Sequence, residues 1–367
     1  MRILVIAKRQ YTGKDLVTDR YGRLFELPER LQAAGHDVRG IALSYRRMGA
    51  SESRSEAGVR WSSRDVMPVG LLRYDAVFAD TTRSWSPDVV WASSDALHAM
   101  LARWLSQRYA IPYVVDLYDN YESFALTRLP GLRQGLRVAC RDAAAITVVT
   151  PSLREKVERE YHPRGTVVVL GNGVNRSVFH PREKYAARRR MRLPDAGRIV
   201  GTAGSITYHR GIEDMFLAFN QLASQDDNVW LAYAGPRDGT PSRYPHPRSL
   251  DLGVLDQQAV PEMLSALDVA IVCNRDSDFG RYCFPMKLEE ALACGTPVVA
   301  TRVGDVASRL AFDPESLYEA GAHEELASKL ATRLSASPTV MPSPMDWDEL
   351  AGRLELALEL AIRTGRV

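Results

Sequence analysis

Phe284-Pro-Met-Lys-Leu-Glu-Glu-Ala-Leu-Ala-Cys-Gly-Thr-Pro-Val-Val-Ala300 decides how this chain is read. A polar turn runs into a helical pattern, Gly295 ends it, and an apolar strand follows. A helix of this kind in an open parallel α/β sheet brings its first turn to the carboxyl edge of the strands, where such sheets bind ligands. Lys287 and Glu290 are three apart and share a helix face. A carboxylate there accepts hydrogen bonds from a vicinal diol such as a ribose, and an ammonium group or a helix N-terminus meets a phosphate. An ordinary surface Lys–Glu pair fits the same spacing, and the pattern by itself leaves both readings open.

The alternation extends outward from this stretch. Strands are expected at 198–202, 229–234, 269–272 and 297–300, with helices at 211–222, 261–267 and 286–293. In the first half, strands are expected at 2–7, 38–43, 74–78, 89–91, 111–115 and 144–149. Helices are expected at 22–35 and 96–105, with another opening near Ser152. Pro28 strains the first of them and suggests a bend. Residues 46–60 and 236–250 read as exposed loops, and the basic run 182–194 as a surface linker or an exposed connecting helix. The whole is an α/β chain of two doubly wound domains facing each other across a cleft, 1–175 and 176–345. The closing segment 346–367 is strongly helical, and either completes the second domain or packs back on the first.

Composition narrows the class. The 367 residues are 46% hydrophobic and 25% charged, as in a soluble globular protein. The apolar run near the start spans only Ile3 to Ala7, too short for a secretory signal, and no stretch is long enough to span a membrane. A cytoplasmic location is expected. Cys140, Cys273, Cys283 and Cys294 form no Cys-x-x-Cys pair, so neither a disulfide framework nor a structural zinc site is expected. The net charge of +2 conceals a split: residues 1–200 hold 33 Lys or Arg against 21 Asp or Glu, and the remainder 14 against 24. The basic half suggests an anionic partner or surface, or merely different surface decoration of two domains.

Taken together, residues 284–300 resemble the donor-binding signature of retaining glycosyltransferases of the GT-B fold, the GT4-type group. The resemblance implies that Glu290 holds the nucleotide ribose, with Met286, Lys287 and Leu288 beside the donor. The family's other carboxylate would fall on Tyr282, with Asp276 or Asp278 as nearby substitutes. A second stretch, Gly204-Ser-Ile-Thr-Tyr-His-Arg-Gly211, resembles the family's glycine-bounded basic loop against the donor diphosphate, with Arg210 in the place of lysine and Ser205 in that of arginine. A third, Asn172-Gly-Val-Asn-Arg-Ser-Val-Phe-His-Pro181, resembles the stretch at the domain junction. Gly235 matches the glycine flanking the base, and Arg275 reaches a donor phosphate or an acidic sugar, or pairs with Asp276 or Asp278. In the first half, Gly13 fits the family's loop after the first strand. Tyr118 replaces a histidine, and Asp119 is either a reaction-site residue or an Asx turn.

The resemblance implies transfer of a hexose-type sugar from a nucleotide-diphosphate donor with retained configuration, with Arg210, Lys287 and Asp119 as the reacting-centre residues and neither cofactor nor metal. The basic half points to an anionic, lipid-linked or glycan acceptor, surface polysaccharide or lipopolysaccharide assembly, and peripheral association with the cytoplasmic face of the inner membrane. A soluble natural-product acceptor and a non-catalytic nucleotide-sugar-binding scaffold are the alternatives. A nicotinamide enzyme lacks its glycine fingerprint after the first strand, and no nucleic-acid module is recognisable. The oligomeric state is not legible.

Overall fold

The computed structural model describes residues 1–11, 14–66, 74–335 and 341–365. The chain divides into two compact units, Met1–Asn172 with Trp347–Val367, and Gly173–Asp346.

The first unit starts with β1 (Arg2–Lys8), whose Ile3 to Ala7 are fully buried. An unbroken apolar run suits a central parallel strand covered on both faces. A small hairpin, β2 (Gln10–Tyr11) and β3 (Lys14–Asp15), precedes α1 (Arg23–Ala33). That helix runs through Pro28 to Ala33, carried by the fully buried Leu24, Leu27 and Leu31. Then follow β4 (Asp37–Ser44), β5 (Ser51–Arg54), β6 (Arg60–Asp65), α2 (Tyr74–Trp85), β7 (Val89–Ser93), α3 (Ala96–Tyr109), β8 (Tyr113–Leu117), α4 (Leu132–Asp142), β9 (Ala145–Val148), α5 (Pro151–Tyr161) and β10 (Thr166–Val169). The sheet order is β10-β9-β8-β7-β1-β4-β6-β5, parallel except for the β5–β6 pair.

Two local expectations fail here. Residues 74–78 open helix α2 rather than forming a strand. Phe78 and Trp85, seven apart and both buried, are the helical pair that a five-residue apolar window conceals. Residues 46–60 are not all loop, because β5 pairs with β6 at the sheet edge. Edge strands made of Ser, Glu and Arg carry no apolar alternation to announce them.

The second unit contains α6 (Lys184–Arg190), β11 (Arg198–Ala203), α7 (Glu213–Gln225), β12 (Val229–Ala234), β13 (Ser249–Asp251), α8 (Val260–Ala266), β14 (Val269–Val272), α9 (Met286–Ala293), β15 (Val298–Thr301), α10 (Asp305–Arg309), β16 (Leu317–Tyr318) and α11 (His323–Ser335). Its all-parallel sheet has the order β13-β12-β11-β14-β15-β16. Phe216, Phe219, Tyr318, Leu326 and Leu330 pack in its core. Of the two readings of residues 182–194 the connecting helix is the one that forms, as α6, but it is not wholly exposed. Arg188 is buried, donating to Asp268 at 2.6 Å and to the carbonyls of Ala266, Asp195 and Gly197.

The last helix, α12 (Trp347–Thr364), belongs to the first unit. Trp347, Leu350, Leu354, Leu358 and Ala361 are buried, and His36 to Glu355 (2.9 Å) and Arg30 to Asp348 (2.9 Å) tie it beside α1. With the arginines around α6 counted in the second unit, the charge split narrows. The first unit holds 28 Lys or Arg against 23 Asp or Glu, and the second 19 against 22.

Candidate functional site

In the second unit the chain leaves β11 to one side, toward β12, and later returns to its other side at β14. This is the topological switch point where doubly wound sheets bind ligands beyond the strand carboxyl ends. Two loops meet there, 204–212 after β11 and 273–285 after β14.

The first loop turns on Gly204, at φ 125°, a conformation that L side chains rarely adopt. Gly235 crosses directly behind it: a Cβ there would stand 1.8 Å from Gly204 O. The loop continues through Ser205, whose Oγ lies 3.2 Å from Thr207 Oγ1, to Arg210 and Gly211 at φ 68°. The Arg210 guanidinium lies 4.6 Å over the Phe279 ring and 3.7 Å from Cys283 Sγ.

The second loop ends in α9. Gly295 closes this helix, its N–H bonding Leu292 O while Thr296 N–H bonds Ala291 O, the double bond of a Schellman cap. Leu288, Ala291 and Leu292 are buried and hold the opposite end at the switch point. The helix starts after Pro285 with no side-chain cap. Helix-start N–H groups have no intrahelical acceptor and suit an anion. Met286 is half-buried there, whereas Leu288 is fully buried and its N–H donates to Pro285 O. Lys287 Cδ is 3.8 Å from where a Gly204 Cβ would lie, and its Nζ donates to Cys273 O at 3.4 Å. Burial holds its ammonium below the usual lysine value; Arg210 adds to this, while Cys273, Cys283 and Glu290 oppose it.

Two adjacent glutamates have separate fates. Glu289 is fully buried, takes both Arg309 guanidinium donors at 3.1 and 3.3 Å, and accepts the Met345 N–H at 2.7 Å. Glu290 lies three positions after Lys287 on α9 and so shares its helix face. Gly204, Arg210, Lys287 and Glu290 are therefore brought to one place.

Arg275 donates to Glu213 at 2.6 Å and to Tyr208 O at 2.8 Å, and lies 3.9 Å over the Tyr208 ring. Asp276 pairs instead with Arg281, so the expected turn pair of Arg275 with Asp276 is not formed. Tyr282 is half-buried, its N–H directed at Phe279 O.

Asp119 belongs to the first unit. It is buried and accepts the Asn120 N–H at 2.8 Å, a local turn contact. The Tyr118 hydroxyl donates to Ser94 O at 3.3 Å. Gly13 lies outside the described residues. The carboxyl edge here is dominated by Asp116, fully buried, which takes Arg23 Nη2 at 2.7 Å, Thr147 Oγ1 at 2.6 Å and Ser93 Oγ at 2.7 Å. Arg23 also donates to the carbonyls of Leu170 and Gly171. Asp95 caps α3 and bonds His98 Nδ1 at 2.7 Å and the Tyr45 hydroxyl at 2.8 Å. Burial raises its pKa, but His98, Tyr45 and Lys8 outweigh it and hold the carboxyl at about 2. Ser94 has φ 109°, a strained value for a residue with a side chain.

The sequence reading missed Phe279, Cys283 and Glu213. Glu213 had a signal, an acid in the first turn of a helix following a glycine. Phe279 had none, since its use depends on a contact with residue 210. Asn274 was also passed over; it is buried, its Nδ2 bonds Gly280 O, and its Oδ1 has no partner.

Among the described residues, no group of three or more His, Cys, Asp or Glu could hold a metal ion, and no helix is long and apolar enough to cross a membrane. The four cysteines are buried and unbridged.

Both halves of the chain match families of known proteins. Residues 23–173 match the family described as glycosyl transferase 4-like domain, and residues 197–336 match glycosyl transferases group 1. The chain is 28% identical over 314 residues to D-inositol 3-phosphate glycosyltransferase of Stackebrandtia nassauensis, covering 78% of this chain and 67% of that one. It is 24% identical over 321 residues to GDP-mannose-dependent alpha-mannosyltransferase of Mycolicibacterium smegmatis, covering 83% and 80%. Among solved structures, sucrose-phosphate synthase from Thermosynechococcus elongatus matches with a TM-score of 0.75 at 18% identity, covering 100% of this chain and 97% of that one. The expected GT-B fold of two Rossmann-like domains is borne out.

Proposed function

This chain belongs to the group 1 glycosyltransferases, with a glycosyl transferase 4-like domain before the group 1 domain, and from that membership we propose that it moves a hexose from a nucleotide-diphosphate sugar, with retention, onto a small soluble polyol or polyol phosphate. The observation that carries the donor half of this reading is the meeting of Arg210 and Lys287 at the switch point of one sheet, with Glu290 on the same helix as Lys287. Neighbouring cations repel, and Arg210 adds to burial in lowering the Lys287 pKa. A donor diphosphate relieves that repulsion, aided by Ser205 and the first-turn N–H groups of α9. Glu290 accepts the ribose hydroxyls.

In the transfer step the bond from the anomeric carbon to the diphosphate oxygen breaks, and its electron pair leaves with the diphosphate. Charge rises on the leaving group, and Arg210 and Lys287 are already placed to receive it, so little reorganisation is needed. The acceptor oxygen attacks the oxocarbenium-like carbon from the same face. Its proton passes to an oxygen of the departing diphosphate, so the balance closes without a protein nucleophile.

The acceptor half leans on the relative whose name specifies D-inositol 3-phosphate, a small anionic polyol, and on the net positive charge of the first unit. The relative's name favours a soluble acceptor over surface polysaccharide, while the charge suits an anionic acceptor of either kind. The test is a panel of nucleotide sugars scored for thermal protection, followed by turnover of the best donor with inositol phosphates, free polyols and lipid-linked sugars. Turnover with a polyol or its phosphate, giving a product whose anomeric proton signal matches the donor configuration, is expected. Turnover confined to lipid-linked sugars overturns the acceptor reading; protection by no nucleotide sugar overturns the donor reading.

A further inference from the structure

Away from the switch point of the second unit, the outer edge of the first unit's sheet carries an unusual row. Arg39 on β4 is the register partner of Arg60 on β6, and Arg60 is the partner of Arg54 on β5. Directly opposed residues on neighbouring strands have Cβ atoms roughly 5 Å apart, and like charges placed so repel. Side chains two residues apart share a sheet face, which puts Arg64, four beyond Arg60, on the same face about 13 Å along.

Compensation is thin. Among the described residues, Arg39, Arg54 and Arg60 form no ion pair, and Arg64 reaches Glu52 only at 3.8 Å. Asp37, the carboxylate nearest in sequence to Arg39, accepts the Trp85 indole N–H. The Arg39 guanidinium lies 4.4 Å over the Trp85 ring, and its Nε is buried with no partner. Burial and then Arg60 pull the Arg39 pKa below its usual value, against Asp37. Arg39, Arg54, Arg60 and Arg64 line one cavity of ≈ 660 Å³, together with Trp61 and Glu52. That volume falls in the range of small-molecule sites.

We propose that this cavity binds a phosphate-bearing anion, held by the guanidinium forks of Arg39, Arg54, Arg60 and Arg64. Guanidinium matches phosphate bidentately and is weakly hydrated, so it tolerates a half-enclosed cavity better than an ammonium would. The spread along the strand admits a ligand with two anionic groups. The site lies on a different unit from Arg210 and Lys287, and the inference does not depend on the proposed sugar transfer. The phosphate belongs either to a soluble phosphorylated metabolite or to a phospholipid headgroup.

The test uses the full chain with inorganic pyrophosphate and with vesicles of phosphatidylglycerol in phosphatidylcholine. Arg54 and Arg60 are exposed, so R54Q/R60Q is chosen, with a thermal melt to verify folding. Loss of repulsion should leave the variant melting at or above the parent. Calorimetry is done in the R210A background, so that pyrophosphate at the second unit does not mask the signal. The expected result is at least a tenfold weakening of pyrophosphate binding, or of vesicle retention, on adding R54Q/R60Q, with the parent interaction declining as salt is raised. Weakening of pyrophosphate alone identifies a soluble ligand, and loss of vesicle retention identifies a headgroup. A variant in which neither interaction changes would overturn the site.

Discussion

The carboxyl edges of the two sheets treat charge in opposite ways. In the first unit, Arg23 and Asp116 neutralise each other in full burial, and Asp95 is matched by His98 and Tyr45. In the second, Arg210 and Lys287 stand near each other with a thiol, an aromatic ring and a carbonyl as neighbours, and among the described residues neither makes an ion pair. A buried charge that is paired and hydrogen-bonded holds a structure in one arrangement. Like charges held together store repulsion that a ligand of opposite sign releases. One edge is closed by pairing; the other is left unpaired, as the proposed donor site requires.

The contrast breaks most visibly if the paired edge proves dispensable. Asp116→Ala leaves Arg23 charged and unpaired in full burial, and should cost about 3–5 kcal/mol in urea unfolding. A loss below about 1 kcal/mol would show the edge to be no anchor. Arg210→Ala should melt near the parent temperature yet lower kcat/KM by roughly 10²–10³, as when a preorganised group facing developing charge is removed. Unchanged turnover removes it from the mechanism.

Acid should affect the first edge in a defined window. The Asp95 carboxyl titrates at about 2 in the fold against an ordinary 3.8, so its contribution is complete above the unfolded value and is lost as pH falls toward 2. Asp95→Asn should therefore be less stable than the parent by about 2 kcal/mol near neutrality, with the gap closing in strong acid. A gap independent of pH refutes the assignment. Glu290→Gln should weaken nucleoside diphosphate binding by about tenfold with little effect on melting, while Glu289→Gln should do the reverse. Equal effects of the two would erase the distinction between neighbouring carboxylates.

What could be read from the residues alone was what local rules govern. The helix-glycine-strand order of 284–300, the spacing of Lys287 and Glu290, and the glycines at 204 and 211 each follow from chain geometry within one turn or loop. What could not be read depends on distant partners or on absent patterns. Arg23 and Asp116 are 93 positions apart, and neither looks unusual in its own window. Arg188 sat in a basic run that looked exposed, and only Asp268 and three carbonyls explain its burial. The strands flanking residue 55 are polar because they form an edge, so periodicity had nothing to register.

Helix α12 has a consequence for how the chain is made. It packs beside α1, yet 174 residues of the second unit separate Asn172 from Trp347. A ribosome adding about 5–20 residues each second takes roughly 10–35 s to traverse that interval. Throughout it the nascent first unit has no α12 to pack against, and the second unit has every chance to fold first. Assembly then finishes out of order, with the first unit sealed by a helix made after the whole of the second.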